Sequence, residues 1–195
     1  RGFFGEEHNS RQKAVNIARA HVLTESLYWL PIWLRHYSEA DFDRVQDRMF
    51  ELFEKGFAHP HAEWRPDHLK IDAADTCEST EAGLETFLRA ATRLINERGY
   101  KGASVERIAS ELNVTKGSFY HHLNTKDDLV LECFDRSYGR VSRAQRLAIE
   151  MDGSWWHRLT STISTLLDVQ FEEPFPLLRT TALQALPIEL RVDVV

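Results

Sequence analysis

The stretch that decides the fold runs from Ser104 to Leu123 and reads SVERIASELNVTKGSFYHHL. Its first half carries a stripe of apolar residues at helical spacing. The stripe consists of Val105, Ile108, Ala109 and Leu112. After it stands Asn113, and Asn is the residue other than Gly that best tolerates the left-handed backbone of a sharp turn. The stretch therefore predicts two short helices joined by a tight turn.

The residues at the ends of these helices support the same prediction. Ser104 can cap the first helix, and Glu106 lies in its first turn, where the helix dipole favours an acid. Thr115 can cap the second helix. The small side chain of Ala109 allows the second helix to cross closely, and Val114 is expected to return to the core after the turn.

The second helix has two different faces. Phe119 and Leu123 lie four residues apart and are expected to point inward. The other residues of this helix are expected to be exposed: Thr115, Lys116, Gly117, Ser118, Tyr120 and His121. None of them is an acid, so the face can donate to phosphate oxygens and base edges. Gly117 costs about 1 kcal/mol of helix stability relative to Ala, which indicates that something approaches this face closely.

The next helix begins with a second capping-box pattern. Thr125 and Asp128 have the spacing of the box, and an apolar helical pattern follows from Leu129 to Val141. Lys126 and the backbone N–H groups of this helix start can hold a phosphate.

The rest of the chain also follows a helical period, and no segment alternates like a strand. One predicted helix begins near Val15 and ends near Pro31. Ser38 and Asp41 have capping-box spacing and precede a predicted helix that ends around Gly56. The prolines of residues 58–78 indicate a linker.

A further helix is predicted from about Thr80 to Arg98, with Gly99 as its stop. The sequence therefore predicts an all-α fold. Cys133 lies on an apolar helical face and is interpreted as a small buried residue.

Composition limits the class of protein. The chain has 195 residues, of which 28% are charged and 43% hydrophobic, as in an ordinary globular protein. No stretch of 18 apolar residues and no secretory signal is visible. Two cysteines, Cys77 and Cys133, fit a reducing cytoplasm. The net charge is −6, but residues 84–146 hold 11 Lys/Arg against 8 Asp/Glu, which gives +3, and the remainder holds 13 against 22, which gives −9. This locally basic segment fits an anionic partner.

One segment of about 50 residues resembles the N-terminal DNA-binding domain of the tetracycline-repressor (TetR) family. The resemblance rests on Ala90-Ala91, Gly99-Tyr100, Ser104 to Ala109, Leu112 to Leu123, and Lys126 to Leu129. Asn113 departs from the family, which usually has Gly there, but it should preserve the turn.

The resemblance implies roles for the matching positions. Those that would contact DNA are Ser104, Thr115, Lys116, Gly117, Ser118, Tyr120, His121 and Lys126. It also implies a repressor that binds a palindromic double-stranded DNA operator as a dimer. The remaining helices would form a ligand-binding and dimerisation domain. The two DNA-binding domains of a dimer, or reading heads, would enter successive major grooves about 34 Å apart, and a small apolar inducer would change the distance between them. No cofactor, metal, enzymatic activity or membrane contact is implied.

The reading head lies mid-chain, whereas family members usually carry it at the start. Residues 24–35 (TESLYWLPIWLR) and 180–191 (TTALQALPIELR) agree at seven of twelve positions. Coincidence and duplication both remain open, and duplication predicts a fragment of a tandem regulator. Residues 1–57 would then be the C-terminal helices of a preceding ligand-binding and dimerisation unit, and residues 58–78 would be a linker. Residues 79–125 would form the DNA-binding domain, called the reading head, and residues 126–195 would begin a second helical ligand-binding domain. The dimer would be a homodimer or an intrachain pair of units.

Other candidates have ordinary alternatives. Six residues after the head could line an inducer pocket or be plain core: Trp155, Trp156, Phe171, Phe175, Leu178 and Leu183. His59, His61 and His68 are interpreted as solvated linker residues, since no fourth zinc ligand is near in sequence. A second function class, a helical enzyme or ligand carrier whose helix-turn-helix is only structural, is disfavoured by the exposed polar face of the second helix.

Overall fold

The computed structural model describes residues 9–71, 82–172 and 176–191. Within these ranges the chain forms helices and no strand, which confirms the predicted all-α class. None of these helices is both long and apolar enough to cross a membrane. The chain divides into two units, residues 1–61 and 62–195.

In its described residues, 9–61, the first unit contains two α-helices, α1 (Ser10–Trp33) and α2 (Phe42–Lys55). Helix α1 begins at a cap where the Asn9 side chain accepts from the Gln12 N–H at 2.8 Å, and it continues two residues past Pro31. Helix α2 ends at Gly56, as predicted, where φ is 78°. It has no buried residue in the described chain, and several of its apolar side chains, such as Phe50 and Phe53, are exposed.

The predicted capping box before α2 is wrong. The Ser38 hydroxyl donates to the Asp41 carboxylate at 2.7 Å instead of capping the helix. A short 3-10 turn, Glu39–Asp41, therefore precedes α2, and no side chain caps this end. The Ser38 hydroxyl thus bonds to the Asp41 side chain and not to a backbone N–H group of the helix start.

The second unit begins with an extended segment, residues 62–71, that the sequence did not distinguish from linker. Over residues 82–172 and 176–191 it is followed by the helices α3 (Ala82–Gly102), α4 (Val105–Glu111), α5 (Lys116–His122), α6 (Lys126–Glu150), α7 (Trp155–Phe171) and α8 (Ile188–Arg191). A 3-10 helix, Thr180–Ala185, lies between α7 and α8. Gly99 interrupts α3 with φ 71° and ψ 169°, so the helix is regular to Arg98, as predicted.

Residues 62–71 are packed against α7 and are not a solvated linker. The backbone N–H of Asp67 donates to Ser161 Oγ at 2.9 Å, and that of Leu69 donates to Thr165 Oγ1 at 3.0 Å. Ser161 and Thr165 are four residues apart on one face of α7, and both are buried. Leu69 is buried as well. Part of the predicted linker is therefore bound to α7, because the hydroxyl groups of this helix accept from alternate N–H groups of an extended chain. Residues 62–71 are called the strap below.

Two contacts hold the first helix of the reading head to the helices that follow. The Asn96 amide of α3 donates to the Leu177 carbonyl at 2.8 Å and accepts from the Arg179 N–H at 2.9 Å. The carboxylate of Glu85, near the start of α3, accepts from Arg136 Nε of α6 at 3.0 and 3.2 Å. The head is thereby fixed at both ends of α3.

The two similar segments, residues 24–35 and 180–191, begin with different local structures. Residues 24–33 continue α1 through Pro31, whereas 180–185 form a 3-10 helix that ends before Pro187. Their sequence similarity therefore does not extend to a shared local conformation, and duplication stays a prediction.

Candidate nucleic-acid interface

The turn between α4 and α5 has the predicted left-handed residue. Asn113 has φ 54°, the only positive φ of a non-glycine residue in the described ranges. The Val114 N–H donates to the Ala109 carbonyl at 3.0 Å and closes the turn. The prediction that Val114 returns to the core is wrong, because this side chain is 40% exposed. The turn is fixed by backbone bonds and does not need a buried side chain there.

Both predicted helix caps of this motif are present. The Ser104 hydroxyl accepts from the Arg107 N–H, and the Thr115 hydroxyl accepts from the Ser118 N–H, each at 3.3 Å. Each bond satisfies one of the N–H groups that a helix start leaves without an intrahelical acceptor. The caps set where α4 and α5 begin, and so they fix which residues face outward.

Helix α5 is anchored by one aromatic side chain. Phe119 is fully buried and meets Phe87 of α3 edge to face, with ring centroids 5.9 Å apart. Leu123 is also buried, as are Ile108 and Ala109 of α4, while Leu112 is half-buried. The inward face predicted from the sequence is therefore the one that packs.

The outward face of α5 carries most of the predicted contact residues. Tyr120 is 54% exposed, and its ring stands edge-on to Phe119 at 5.1 Å. Ser118 and Ser104 are half-buried. The remaining members of this face are exposed: Thr115, Lys116, Gly117 and His121. The structure thus gathers the predicted side chains of α5 on one accessible surface.

Gly117 has no packing reason to be glycine. A Cβ built at this position would meet only the Thr115 hydroxyl, at an ordinary 3.6 Å, and its φ is not positive. The described chain therefore has room for a side chain at the start of α5.

The exposed residues of α5 include no acid, but α4 brings a carboxylate beside them. Glu106, in the first turn of α4, forms an ion pair with Lys116 at the start of α5. Hydrogen bonds hold the pKa of the Glu106 carboxyl down at about 2, first from Lys116, then from its own backbone N–H and Ser104. Sequence reasoning assigned Glu106 only to the helix dipole, because ten residues and a turn separate it from Lys116.

Lys126 is less free than the sequence suggested. Thr125 and Asp128 form the predicted capping box at the start of α6. The Lys126 ammonium donates to the Tyr100 carbonyl and lies 3.9 Å above the centre of the Tyr100 ring. Its burial lowers the pKa of Lys126.

Tyr100 connects this lysine to the next residue of α6. The Tyr100 hydroxyl donates to the Asp127 carboxylate. Burial, and then the bond to Asp127, raise the pKa of Tyr100 to about 12. Tyr100, Lys126 and Asp127 thus form a cluster that joins the reading head to the start of α6. The sequence indicated the role of Tyr100 only through the family pattern at Gly99-Tyr100.

The six predicted pocket residues do not lie together. Trp155 is 73% exposed and Phe171 is 78% exposed, at opposite ends of α7, about 24 Å apart by the helical rise. Leu178 and Leu183 are buried in the core. Trp156 donates to the Glu63 carbonyl of the strap at 2.9 Å. Phe175 lies outside the described residues. A pocket lined by all six has no geometric support and stays a prediction.

The histidines of residues 58–71 differ in their surroundings. His59 and His61 have ring centroids 5.7 Å apart, and His68 contacts Asp168 of α7 at 3.1 Å. No cluster of three or more metal-ligating side chains occurs in the part of the chain that the structure describes. Cys133 is buried, which raises the pKa of its thiol to about 12, and Cys77 lies outside the described residues.

Comparison with known proteins bears on the same segment. The family described as "Bacterial regulatory proteins, tetR family" matches residues 87–133. The chain is 23% identical over 121 residues to the Transposon Tn10 TetC protein of Escherichia coli, covering 57% of this chain and 61% of TetC. It is 38% identical over 56 residues to YwcC of Bacillus subtilis, an uncharacterised HTH-type transcriptional regulator, covering 29% of this chain and 25% of YwcC.

A third relative is an HTH-type transcriptional regulator of Saccharopolyspora erythraea, 28% identical over 91 residues, covering 47% of this chain and 37% of the relative. No solved structure matches the chain. The chain spans less than two thirds of the length of each of these relatives. The matched segment, residues 87–133, contains the whole of α4 and α5 and the buried contacts that hold them. Over this segment, the chain is similar to the tetR family of bacterial regulatory proteins.

Proposed function

We propose that this chain is a sequence-specific transcription regulator that binds double-stranded DNA through α5. The observation that carries the proposal is the orientation of α5: Phe119 is buried on one side, while Tyr120 and Lys116 face solvent on the other. A seven-residue helix that presents an aromatic hydroxyl, a cation and hydroxyl groups has the donors that a major groove can accept.

Gly117 supports the same function. Glycine lowers helix stability by about 1 kcal/mol relative to alanine, and nothing in the described chain fills the space where a side chain would be. The space is therefore available to a partner, and a DNA backbone needs such a close approach. A helix-turn-helix that served only to support an enzyme or a ligand carrier would have no use for this glycine.

The test is binding to duplex DNA from a random-sequence pool at increasing salt. We expect the affinity to fall steeply between about 50 mM and about 200 mM salt, since phosphate binding releases counterions. Tyr120→Ala should weaken binding to a selected duplex about tenfold or more. Lys116→Ala should weaken binding to all duplexes and reduce the salt slope by about one.

The control is Lys13→Ala, which removes the same charge from an exposed position of α1 and should leave binding unchanged. All three variants should keep the wild-type melting curve, because the replaced side chains are exposed. Undiminished binding by both Tyr120→Ala and Lys116→Ala would show that α5 is not the reading helix.

We further infer that two reading heads act together and that a small apolar ligand releases them, as is general for the family. The uncovered apolar side chains of α2 support an interface role for that helix. The heads belong either to two copies of the chain or to tandem units, and the protein would act in the cytoplasm. Light scattering of the DNA complex distinguishes the arrangements, since only the first contains two copies per duplex.

A further inference from the structure

Glu106 stands inside the surface that is proposed to meet DNA. Its side chain is 58% exposed and that of its partner Lys116 is 53% exposed, so the pair is open to solvent. The pair joins the first turn of α4 to the start of α5. A phosphate that approached Lys116 would therefore also approach a carboxylate.

This ion pair contributes little to the stability of the fold. Exposed pairs contribute at most a small stabilisation, because water screens both charges. The crossing of α4 and α5 is already held by the buried side chains of Ile108 and Phe119. The carboxylate also stays charged in use, since its pKa of about 2 lies far below neutral pH. A permanent negative charge therefore lies beside the lysine, at a position where the fold gains only a small helix-dipole stabilisation from it.

We propose that Glu106 is a positioning residue that sets DNA specificity by restraining Lys116. Resting on the proposed function, this assigns two effects to one carboxylate. It holds the lysine in one orientation on the face of α5, and it offsets the charge that the lysine offers to any phosphate.

The two effects act differently on operator and non-operator DNA. Binding to an unrelated duplex depends on phosphate contacts alone. Its affinity is therefore lowered by the whole of the repulsion between the Glu106 carboxylate and the phosphates. Binding to an operator also uses contacts to base edges, and an oriented lysine loses less freedom when it makes such a contact. Glu106 therefore increases the ratio of operator affinity to general affinity.

The experiment compares the full chain and its variants on two duplexes, one selected from a random pool by the wild-type protein and one of scrambled sequence. Glu106→Gln should increase affinity for the scrambled duplex about threefold to tenfold and steepen the salt slope by about one. The selected duplex should gain less, so the affinity ratio should fall at least about threefold. Glu106→Asp keeps the charge and should stay near the wild-type values.

Two comparisons separate this role from a mere change in net charge. Glu111→Gln, at the other end of α4, removes the same charge from an ion pair with Arg93 and should change either affinity less than about twofold. In a Lys116→Ala background, Glu106→Gln should leave the affinity ratio unchanged, because no lysine is left to restrain and the loss of repulsion affects both duplexes alike.

The inference is overturned if Glu106→Gln binds the scrambled duplex no more tightly than wild type, or if Glu111→Gln has an equal effect. It is also overturned if Glu106→Gln still lowers the affinity ratio in the absence of Lys116. Failure of the proposed function would look different, since the wild-type chain itself would then bind neither duplex at low salt, and the inference would fall with it.

Discussion

Removing the carboxylate of Glu85 is expected to destabilise the second unit strongly. The Arg136 side chain is only 4% exposed, and its Nε donates to both Glu85 oxygens. Its two terminal nitrogens are buried and have no hydrogen-bond partner among the residues that the structure describes. Glu85→Ala would therefore leave a buried cation with no counter-charge at Nε.

The magnitude follows from what such a charge costs. Breaking a buried ion pair from one side costs about 3–5 kcal/mol. Glu85 itself is 22% exposed, so water can reach the site, and the lower value of about 3 kcal/mol applies. For a chain of this length that loss lowers Tm by about 6–12 °C. Thermal unfolding followed by circular dichroism measures it.

Two variants make the interpretation specific. Arg136→Met combined with Glu85→Ala removes both charges and should recover most of the lost stability, since an apolar replacement of a buried pair is close to neutral. Glu111→Gln removes a carboxylate from a more exposed pair and should change stability by less than about 0.5 kcal/mol. A Glu85→Ala protein as stable as wild type, or a double variant less stable than the single one, would refute the reasoning.

Three further outcomes are expected. Gly117→Ala should raise the free energy of unfolding by about 0.5–1 kcal/mol yet weaken duplex binding, and a variant that gains stability without losing affinity would show that no partner approaches this position. The Tyr100 hydroxyl, with its pKa raised from 10 to about 12, stabilises the fold fully below pH 10, and this contribution is lost as pH rises toward 12. Asp127→Asn should therefore lower the midpoint of Tyr100 ionisation in an ultraviolet titration, whereas an unchanged midpoint would mean that the carboxylate is not its partner. Thr165→Val should accelerate exchange of the Leu69 amide about tenfold to hundredfold by removing its acceptor, and wild-type exchange at the rate of an unstructured chain would contradict the docked strap.

Most features that depend on a few neighbouring residues could be predicted from the sequence, with the capping box at Ser38 as an exception. The caps at Ser104, Thr115 and Thr125, the left-handed turn at Asn113 and the stop at Gly99 all formed where the local pattern placed them. Each is decided by a bond or a backbone preference within about four residues. The inward position of Phe119 follows from helical periodicity, which is equally local.

What the tertiary structure decided involves groups far apart in the chain. The strap bonds to α7 join residues 94 and 96 positions apart, and the Lys116–Glu106 pair crosses a turn. The burial of Leu178 and Leu183, while Trp155 and Phe171 stay exposed, likewise depends on packing. Such contacts depend on how helices meet, and a hydrogen-bonding or charged side chain has several possible partners until packing selects one. The sequence alone therefore determined the helices and the face of α5, while their packing determined which charges share that face.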